Sequence, residues 1–180
     1  MLEQIQARLL AVEDALRLYG NASAAVAILL RERTDLEVLV MERAKRETDP
    51  WSGHWSFPGG RRQAGEPLMD AVCRETEEEI GVRPDPRDVL GCIAARSPAN
   101  RPEVLVLPFV FRFEKANEPK PGPEVASIAW VSIAELVASR TTATIRIRGR
   151  EAPMPAFVRE GRTIWGFTYR LLEDFVALLV

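Results

Sequence analysis

Residues 57–82 read FPGGRRQAGEPLMDAVCRETEEEIGV, and the rest of the chain is organised around them. A glycine turn is followed by a helix that carries several carboxylates on one side. With residues placed at about 100° intervals from Leu68, the acidic side chains of Glu75, Glu78 and Glu79 fall together beside an arc of core-facing residues. That arc holds Met69, Val72, Cys73, Thr76 and Ile80. The pattern predicts a helix with a buried stripe and an acidic stripe beside it.

The acidic stripe is unfavourable for an isolated helix. Like charges at i,i+3 and i,i+4 destabilise a helix by about 0.2–0.5 kcal/mol per pair, and the helix dipole disfavours anions in the last turns. A hard divalent cation such as Mg²⁺ would offset this repulsion, because it takes carboxylate oxygens and waters and then carries substrate phosphates. A solvated acidic face is the other interpretation. The glycine turn ahead of the helix favours the metal site.

The spacing of these residues resembles a known motif, the Nudix box. In this chain it reads Gly60-x5-Glu66-x7-Arg74-Glu75-Thr76-x-Glu78-Glu79-x-Gly81-Val82. Every fixed position matches, and Thr76 stands where an aliphatic residue is more usual, a departure that concerns packing only. The resemblance implies attack of water on a pyrophosphate that links a nucleoside to another moiety.

The resemblance also implies roles for individual residues of the box, residues 60–82. Two or three Mg²⁺ or Mn²⁺ ions would be bound by Glu75, Glu78, Glu79 and the Gly59 carbonyl. Arg74 and Glu66 would brace the helix through a salt bridge, and Gly60, Glu66 and Gly81 would have structural roles. Since glycine enters unusual backbone conformations, Gly59-Gly60 lets the chain approach a ligand closely.

The resemblance implies a general base outside the helix, because Nudix relatives often recruit a glutamate from a later loop. Glu124, at the end of a proline-rich loop at residues 116–123 that is expected to be mobile, is the first candidate. Glu103 is the alternative, and Glu78 is the choice if the base lies within the box. A plain surface charge is the competing interpretation of Glu124. The catalytic candidates are therefore Arg74, Glu78 and Glu124.

Composition limits the class of protein. The 180 residues are 47% apolar, which fits one domain spanning residues 1–180 with a sizeable core. A net charge of −2 gives no general attraction to nucleic acid or to anionic membranes. The longest apolar run, residues 24–30, is too short to cross a bilayer, and the N-terminus lacks the layout of a signal peptide. Cys73 and Cys92 are expected to be buried free thiols, which suits a cytoplasmic protein.

Hydrophobic periodicity predicts the remaining elements. An amphipathic helix is expected over residues 2–18 within an N-terminal segment 1–20, and a closing helix within residues 166–180. A hairpin-like pair of strands is predicted within residues 24–41. Further strands are predicted at residues 89–95, 104–113 and 128–131, and short β-like runs at residues 143–165. Pro108 predicts an edge or a bulge, and Ser132 with Glu135 predicts a capping box. Together these elements predict an α/β/α sandwich with a mixed central sheet, as the resemblance implies.

Two stretches outside the box are similar to the coenzyme A pyrophosphatase branch of the family. One runs from Leu39-Val40-x-x-Arg43-Ala44 to Gly53-x3-Phe57-Pro58-Gly59-Gly60, and the other is Ile164-Trp165-Gly166-Phe167-Thr168-Tyr169-Arg170. The match is partial, since Thr48 stands where that branch usually has a second arginine and the segment before Gly53 is one residue longer. Arg43, Arg46, Arg61 and Trp55 are the substrate-binding candidates.

The sequence thus predicts a small nucleotide as the substrate, either coenzyme A or an acyl derivative, with ADP-ribose or another nucleoside diphosphate derivative as the alternative. A nucleotide-binding module without activity is a further class, although no box carboxylate is missing. Neither a P-loop motif nor a serine-hydrolase elbow is present in the sequence. Oligomeric state stays open, and a homodimer is compatible with the sequence.

Overall fold

A computed structural model describes residues 1–45, 53–114, 118–147 and 149–179. The helices are α1 (Leu2–Gln6), α2 (Val12–Tyr19), α3 (Leu68–Ile80), α4 (Ile133–Ala138) and α5 (Gly166–Ala177). The strands are β1 (Ala24–Glu32), β2 (Leu36–Arg43), β3 (Trp55–Ser56), β4 (Gly59–Arg61), β5 (Val89–Cys92), β6 (Val106–Arg112), β7 (Val125–Ser132), β8 (Arg140–Ile147), β9 (Arg150–Arg159) and β10 (Arg162–Trp165).

Strands β1 to β7 form one mixed sheet. β1 and β2 pair antiparallel only near their turn, at Leu30 with Val38, and then diverge. β3 continues along β2 and β4 along β1, so the glycine turn lies where the hairpin opens. On its other side β1 pairs parallel with β6, which pairs antiparallel with β5, and β7 covers the outer side of β2.

Helices cover both faces of this sheet, because successive side chains of a strand point to opposite faces. On β1, Ile28 and Leu30 belong to the apolar cluster that also contains residues of α1, α4 and α5. Ala27 and Leu29 belong to the other cluster, which contains residues of α2 and α3. The predicted layered α/β architecture with a mixed central sheet is confirmed.

The N-terminal segment differs from its prediction. The single helix expected over residues 2–18 is two helices, α1 and α2, on opposite faces of the sheet. Between them Leu10 pairs with Cys92 of β5: its N–H donates to the Cys92 carbonyl at 3.0 Å, and its carbonyl accepts from the Cys92 N–H at 2.9 Å. Gly91 permits this crossing, since a Cβ there would lie 2.6 Å from the Leu10 carbonyl oxygen. The pairing of Leu10 with the edge of β5 therefore interrupts the helix that the hydrophobic period of residues 2–18 predicts.

Pro108 lies inside the sheet rather than at an edge, so the expected edge position is wrong. It pairs with Val26 of β1, and its carbonyl accepts from the Ile93 N–H at 3.2 Å on the β5 side. Since the N–H and C=O of one strand residue point to the same side, the missing N–H of Pro108 also faces Ile93, just past the end of β5 at Cys92. This pair therefore has one ladder hydrogen bond instead of two.

Strands β8 to β10 form a second, antiparallel sheet in the order β10-β9-β8. It follows α4, whose N-cap Ser132 accepts from the Glu135 N–H at 3.4 Å, as predicted. The Glu135 carboxylate, however, accepts from Arg159 of β9 at 2.6 Å. This contact joins α4 to the second sheet.

Both cysteines are buried free thiols, as predicted, and burial raises the pKa of the Cys92 thiol to about 12. Among the helices of the described ranges, none is long and apolar enough to span a membrane.

Candidate active site

The glycine turn is fixed by contact with β1 and with the end of α3. Gly59 has φ of 141°, and a Cβ there would lie 2.3 Å from the Ala25 carbonyl oxygen, so only glycine fits. The Gly59 N–H donates to Glu79 Oε2 at 2.8 Å. The turn therefore holds one carboxylate of the acidic stripe from the backbone.

Gly60 makes room for a second carboxylate. A Cβ on Gly60 would lie 2.4 Å from Glu75 Oε2 and 2.6 Å from its carboxyl carbon. The Glu75 carboxylate thus packs directly on the Gly60 backbone, and any larger residue would displace it. Adjacent glycines in this way place the side chains of Glu75 and Glu79 side by side.

Arg74 ties the start of the box to its acidic end. Its guanidinium donates to both oxygens of Glu66, at 2.8 and 3.0 Å, so the expected salt bridge is present and bidentate. It also donates to Glu75 at 2.7 Å, to Glu78 at 3.4 Å and to the Arg61 carbonyl at 3.3 Å. The hydrogen bonds from Arg74, and then that from the Gln63 N–H, lower the pKa of Glu66 to about 2.

Glu79 is the buried member of the stripe, with 7% of its surface exposed. Burial is the main cause that raises the pKa of its carboxyl group to about 8. The Gly59 hydrogen bond and the charge of Arg43 act in the opposite direction, while Glu75 and Glu124 raise the pKa further. Arg43 and Glu124 thus share one electrostatic site with Glu79.

The part of the proline-rich loop that the structure describes, residues 118–123, is docked on the C-terminal end of α3, where a loop without such contacts was expected. The Lys120 N–H donates to the Ile80 carbonyl at 2.9 Å, and the Gly122 N–H donates to the Glu79 carbonyl at 2.8 Å. A Cβ on Gly122 would lie 2.3 Å from the Glu78 carbonyl oxygen. Sequence reasoning missed this role of Gly122, which only the Pro121-Gly122-Pro123 triplet could have indicated.

The helix itself ends at Gly81, which adopts the left-handed conformation with φ of 69° and ψ of 11°. Its N–H donates to the Glu77 carbonyl at 2.9 Å. Glycine is favoured at this position because it has no Cβ to strain the left-handed backbone. Gly81 and the docked loop together provide donors for the carbonyls of Glu77, Glu79 and Ile80.

A comparison with known families identifies the kind of domain. The NUDIX domain family matches residues 20–150, well over half of the chain. The chain belongs to the Nudix family. The matched range contains residues 60–82, whose spacing resembles the Nudix box, and it ends at the first residue of β9.

Individual relatives agree with this membership. A Caenorhabditis elegans protein with a nudix hydrolase name is 32% identical over 140 residues, which are 75% of this chain and 34% of that protein. The ADP-ribose pyrophosphatase of Methanocaldococcus jannaschii is 34% identical over 95 residues, 53% of this chain and 52% of that protein. The chain thus spans about half of these curated relatives or less.

A solved structure shows the shared fold. The crystal structure of a MutT/nudix family protein from Enterococcus faecalis superposes with a TM-score of 0.61 at 17% sequence identity. The superposition covers 98% of this chain and 73% of that chain. It extends over the second sheet and α5, beyond the family match.

The candidate metal ligands of the Nudix box differ in how deeply they are buried. The Glu78 side chain is 60% exposed, on the solvent side of Arg74. Within the described ranges, no group of three or more His, Cys, Asp or Glu side chains is gathered at metal-binding spacing. The donor chemistry nevertheless fits a hard cation, because a divalent ion would relieve the charge of the desolvated Glu79 beside Glu75 and Glu124.

The substrate-binding candidates lie in different places. Arg43 acts on Glu79, as described above, and Arg61 is exposed at the end of β4. Trp55 lies on the opposite face of the sheet from α3, packed on the cluster of α5, with the Arg162 guanidinium 5.4 Å from its ring centroid. Arg46 lies outside the described residues.

Glu103, the alternative base, is exposed in the loop between β5 and β6. That loop is tied to α5, because Arg96 pairs with Asp174 and the Arg170 guanidinium donates to the Ser97 carbonyl at 3.3 Å. Glu124 is placed differently, since its carbonyl accepts from the Ala44 N–H at 2.9 Å and its charge acts on Glu79. The structure therefore favours Glu124 over Glu103 as a neighbour of the Nudix box.

We expect Glu66→Gln to lower the melting temperature of the Nudix domain in a pH-dependent way. The pKa of Glu66 falls from 4.5 to about 2 in the fold, so its ionised form stabilises the fold above about pH 4.5. This contribution is lost as the pH falls toward 2. Thermal melts in chelator at a series of pH values should show the largest deficit at neutral pH and a narrowing deficit below pH 4.5.

The matched control is Glu77→Gln, because Glu77 is another ion-paired glutamate of residues 60–82 but pairs with the exposed Arg83 at 3.1 Å. This control should change the melting temperature little at any pH. A deficit for Glu66→Gln that is the same at acid and neutral pH would contradict the proposed strength of the Arg74 pair.

Proposed function

We propose that this domain hydrolyses the pyrophosphate bond of a nucleoside diphosphate derivative, with Mg²⁺ or Mn²⁺ held by Glu75, Glu78, Glu79 and the Gly59 carbonyl. The observation that carries the proposal is the placement of Glu75 and Glu79 against the Gly59-Gly60 turn, with Glu79 buried. A carboxylate that is buried next to other carboxylates is unfavourable without a cation. Membership of the Nudix family supports the same class of reaction.

When bound, the ions supply charge stabilisation at phosphoryl oxygens and a water of lowered pKa. The residues of the chain do the rest. Gly59 orients Glu79 through its N–H, and Arg74 orients Glu75 while it neutralises Glu66. Arg43, close enough to affect Glu79, would bind a phosphate oxygen of the substrate. Glu124 would take the proton of the attacking water.

We expect Glu79→Gln to reduce kcat by at least about 100-fold, about 2.7 kcal/mol of transition-state stabilisation. Glutamine is still able to accept the Gly59 hydrogen bond, but it has no charge for a cation. The melting temperature in chelator should be equal to or higher than that of the wild type at pH 8, because the desolvated charge is gone. Glu75→Gln should also abolish turnover and leave the fold intact.

Rates should be measured with Mg²⁺, with Mn²⁺ and in excess chelator, beside thermal melts of each variant. Glu77→Gln serves again as the control on α3 and should retain wild-type rates, since its side chain is 53% exposed and pairs with Arg83. Wild-type turnover that persists undiminished in excess chelator would refute the metal mechanism.

Glu124 is proposed as the general base because its charge acts on Glu79 at the end of the docked loop. We expect Glu124→Gln to lower kcat by about 100-fold or more and to alter the acid limb of the pH profile. Glu118→Gln is the matched control, since Glu118 lies in the same loop and pairs with Arg33 at 3.3 Å. A Glu124→Gln enzyme within about twofold of the wild-type rate at every pH would exclude this role.

The finer proposal is that the substrate is coenzyme A or an acyl derivative, giving adenosine 3′,5′-bisphosphate and 4′-phosphopantetheine. It is supported by the similarity of residues 39–60 and 164–170 to that branch. These two stretches meet, since the His54 ring lies edge-on to the Trp165 ring with centroids 4.9 Å apart. Trp55 and Trp165 would provide an apolar wall for pantetheine, and Arg43, Arg46 and Arg61 would supply cations for the phosphates.

ADP-ribose is the second candidate substrate. The observation that favours it is the 34% identity to an ADP-ribose pyrophosphatase over 95 residues. Thr48, which stands where the coenzyme A branch usually has a second arginine, also favours ADP-ribose over coenzyme A. A nucleotide-binding module without activity is the third possibility, and it would bind such compounds without turnover.

We expect coenzyme A to have the highest kcat/KM in a panel with dephospho-coenzyme A, ADP-ribose and NADH, assayed with Mg²⁺ and Mn²⁺. Comparison of coenzyme A with dephospho-coenzyme A isolates the 3′-phosphate. A preference of tenfold or more for ADP-ribose, about 1.4 kcal/mol, would reject coenzyme A while keeping the pyrophosphatase reaction. Binding without turnover of any compound would reject the reaction itself.

A further inference from the structure

Glu124, the proposed general base, lies in a tight turn that leads into β7. The Gly122 carbonyl accepts from the Val125 N–H at 3.0 Å, which closes a β-turn over residues 122–125. Pro123 occupies the second position of this turn, where its fixed φ suits the common turn types, and Glu124 occupies the third. The turn therefore sets the backbone from which the Glu124 side chain projects.

The sheet fixes this turn from one side. Val125, its last residue, is the first residue of β7 and pairs with Arg43 of β2. The Ala44 N–H donates to the Glu124 carbonyl at 2.9 Å. The register of the two strands shifts between Glu42 and Arg43, and such an irregularity bends a strand and changes where the side chains beyond it point. The ends of β2 and β7 thus hold the backbone of Glu124.

Gly122 fixes the turn from the other side, against the end of α3. Its N–H donates to the Glu79 carbonyl at 2.8 Å, so the residue that carries a proposed metal ligand also receives the loop. A Cβ on Gly122 would lie 2.3 Å from the Glu78 carbonyl oxygen and 3.0 Å from the Glu79 carbonyl oxygen. The turn and the helix are therefore in direct contact through their backbones.

Glycine is required at residue 122 by space and not by conformation, because Gly122 has no positive φ. Ordinary contact begins at 3.4 Å, so a Cβ would push the loop and α3 apart by about 1 Å. The loop would be the part that moves. A row of buried side chains anchors α3 on the sheet, whereas Pro121, Pro123 and Glu124 are exposed.

We propose that Gly122 is a positioning residue, which sets the distance between the general base Glu124 and the metal ligand Glu79. It acts through two backbone hydrogen bonds: its N–H binds the Glu79 carbonyl, and its carbonyl closes the turn that carries Glu124. Two residues span at most about 7 Å, so the position of Gly122 limits closely where Glu124 lies. This role rests on the proposed hydrolase reaction and on Glu124 as its base.

We expect Gly122→Ala to lower kcat by roughly 10- to 100-fold, because a displacement of about 1 Å in a catalytic site has an effect of this size. KM should stay within about twofold of the wild-type value. Mn²⁺ affinity, measured by calorimetry, should be unchanged, since the proposed carboxylate ligands stay on α3. Rates are measured with coenzyme A and with ADP-ribose in Mn²⁺, beside thermal melts that show whether the variant is folded.

A double-mutant cycle separates positioning from a general structural effect. Because Gly122 acts through the Glu124 carboxylate, Gly122→Ala should change kcat by less than about twofold when it is introduced into Glu124→Gln. A loss of tenfold or more in that background would overturn the proposal, as would a folded Gly122→Ala with the wild-type rate. Weaker Mn²⁺ binding in parallel with the lower rate would also overturn it, because Gly122 would then act on the metal site.

Pro123→Gly tests the same turn without adding atoms against α3, and it decides the matter if Gly122→Ala fails to fold. Glycine frees the second turn position, so kcat should fall by roughly three- to tenfold in the wild type and by less than about twofold in Glu124→Gln. Pro121→Gly is the matched control and should retain the wild-type rate. Pro121 is also exposed, but it lies outside the turn and between the docked N–H groups of Lys120 and Gly122. Equal effects of the two proline variants would overturn the proposal.

The same measurements distinguish a failure of this inference from a failure of the proposed reaction. A slow Glu124→Gln beside a folded Gly122→Ala at the wild-type rate would reject the role of Gly122 alone. A Glu124→Gln at the wild-type rate would reject the base, and this inference with it, while keeping the reaction. A wild type that turns over none of the nucleotide panel would reject the reaction itself together with both assignments.

Discussion

Close contact between the Gly59-Gly60 backbone and the carboxylates of Glu75 and Glu79 is the constraint on which the site depends. Gly59 is itself held against Ala25 and Val26 of β1, where a Cβ would overlap the backbone. The position of α3 relative to the sheet therefore sets the position of both carboxylates. β3 pairs with β2 and β4 pairs with β1 where β1 and β2 diverge. This pairing places the turn between β3 and β4 at the end of the box helix.

The carboxylates in this region carry more charge than the cations beside them. On the solvent-facing side Arg74 pairs with Glu66, Glu75 and Glu78, so one positive charge offsets part of three negative ones. Glu79 faces the interior, where burial and the charges of Glu75 and Glu124 raise its pKa to about 8. The docked loop binds the end of the helix through the N–H groups of Lys120 and Gly122, which donate to the Ile80 and Glu79 carbonyls. A divalent cation would complete the balance, which links the acidic site to the proposed chemistry.

Local patterns in the sequence predicted much of this arrangement, because they report contacts between residues close in the chain. The period of α3 and the Ser132 cap are of this kind. The salt bridge of Arg74 with Glu66 was expected from the resemblance to the Nudix box. Long-range contacts were not visible. The break between α1 and α2 follows from pairing with Cys92, the docking of Gly122 from a contact 43 residues away with Glu79, and the face on which Trp55 lies from its pairing with β2.

Binding of Mn²⁺ by the wild type and by Gly60→Ala, measured by electron paramagnetic resonance or calorimetry, tests the central constraint most directly. The added Cβ would overlap the flexible end of Glu75, 2.4 Å from Oε2, while Gly60 has no positive φ that would strain alanine. The fold should therefore survive, with a melting temperature in chelator close to that of the wild type. We predict that Gly60→Ala binds Mn²⁺ about tenfold more weakly or worse, a loss of at least about 1.4 kcal/mol. Equal affinity in a folded Gly60→Ala protein would contradict the account.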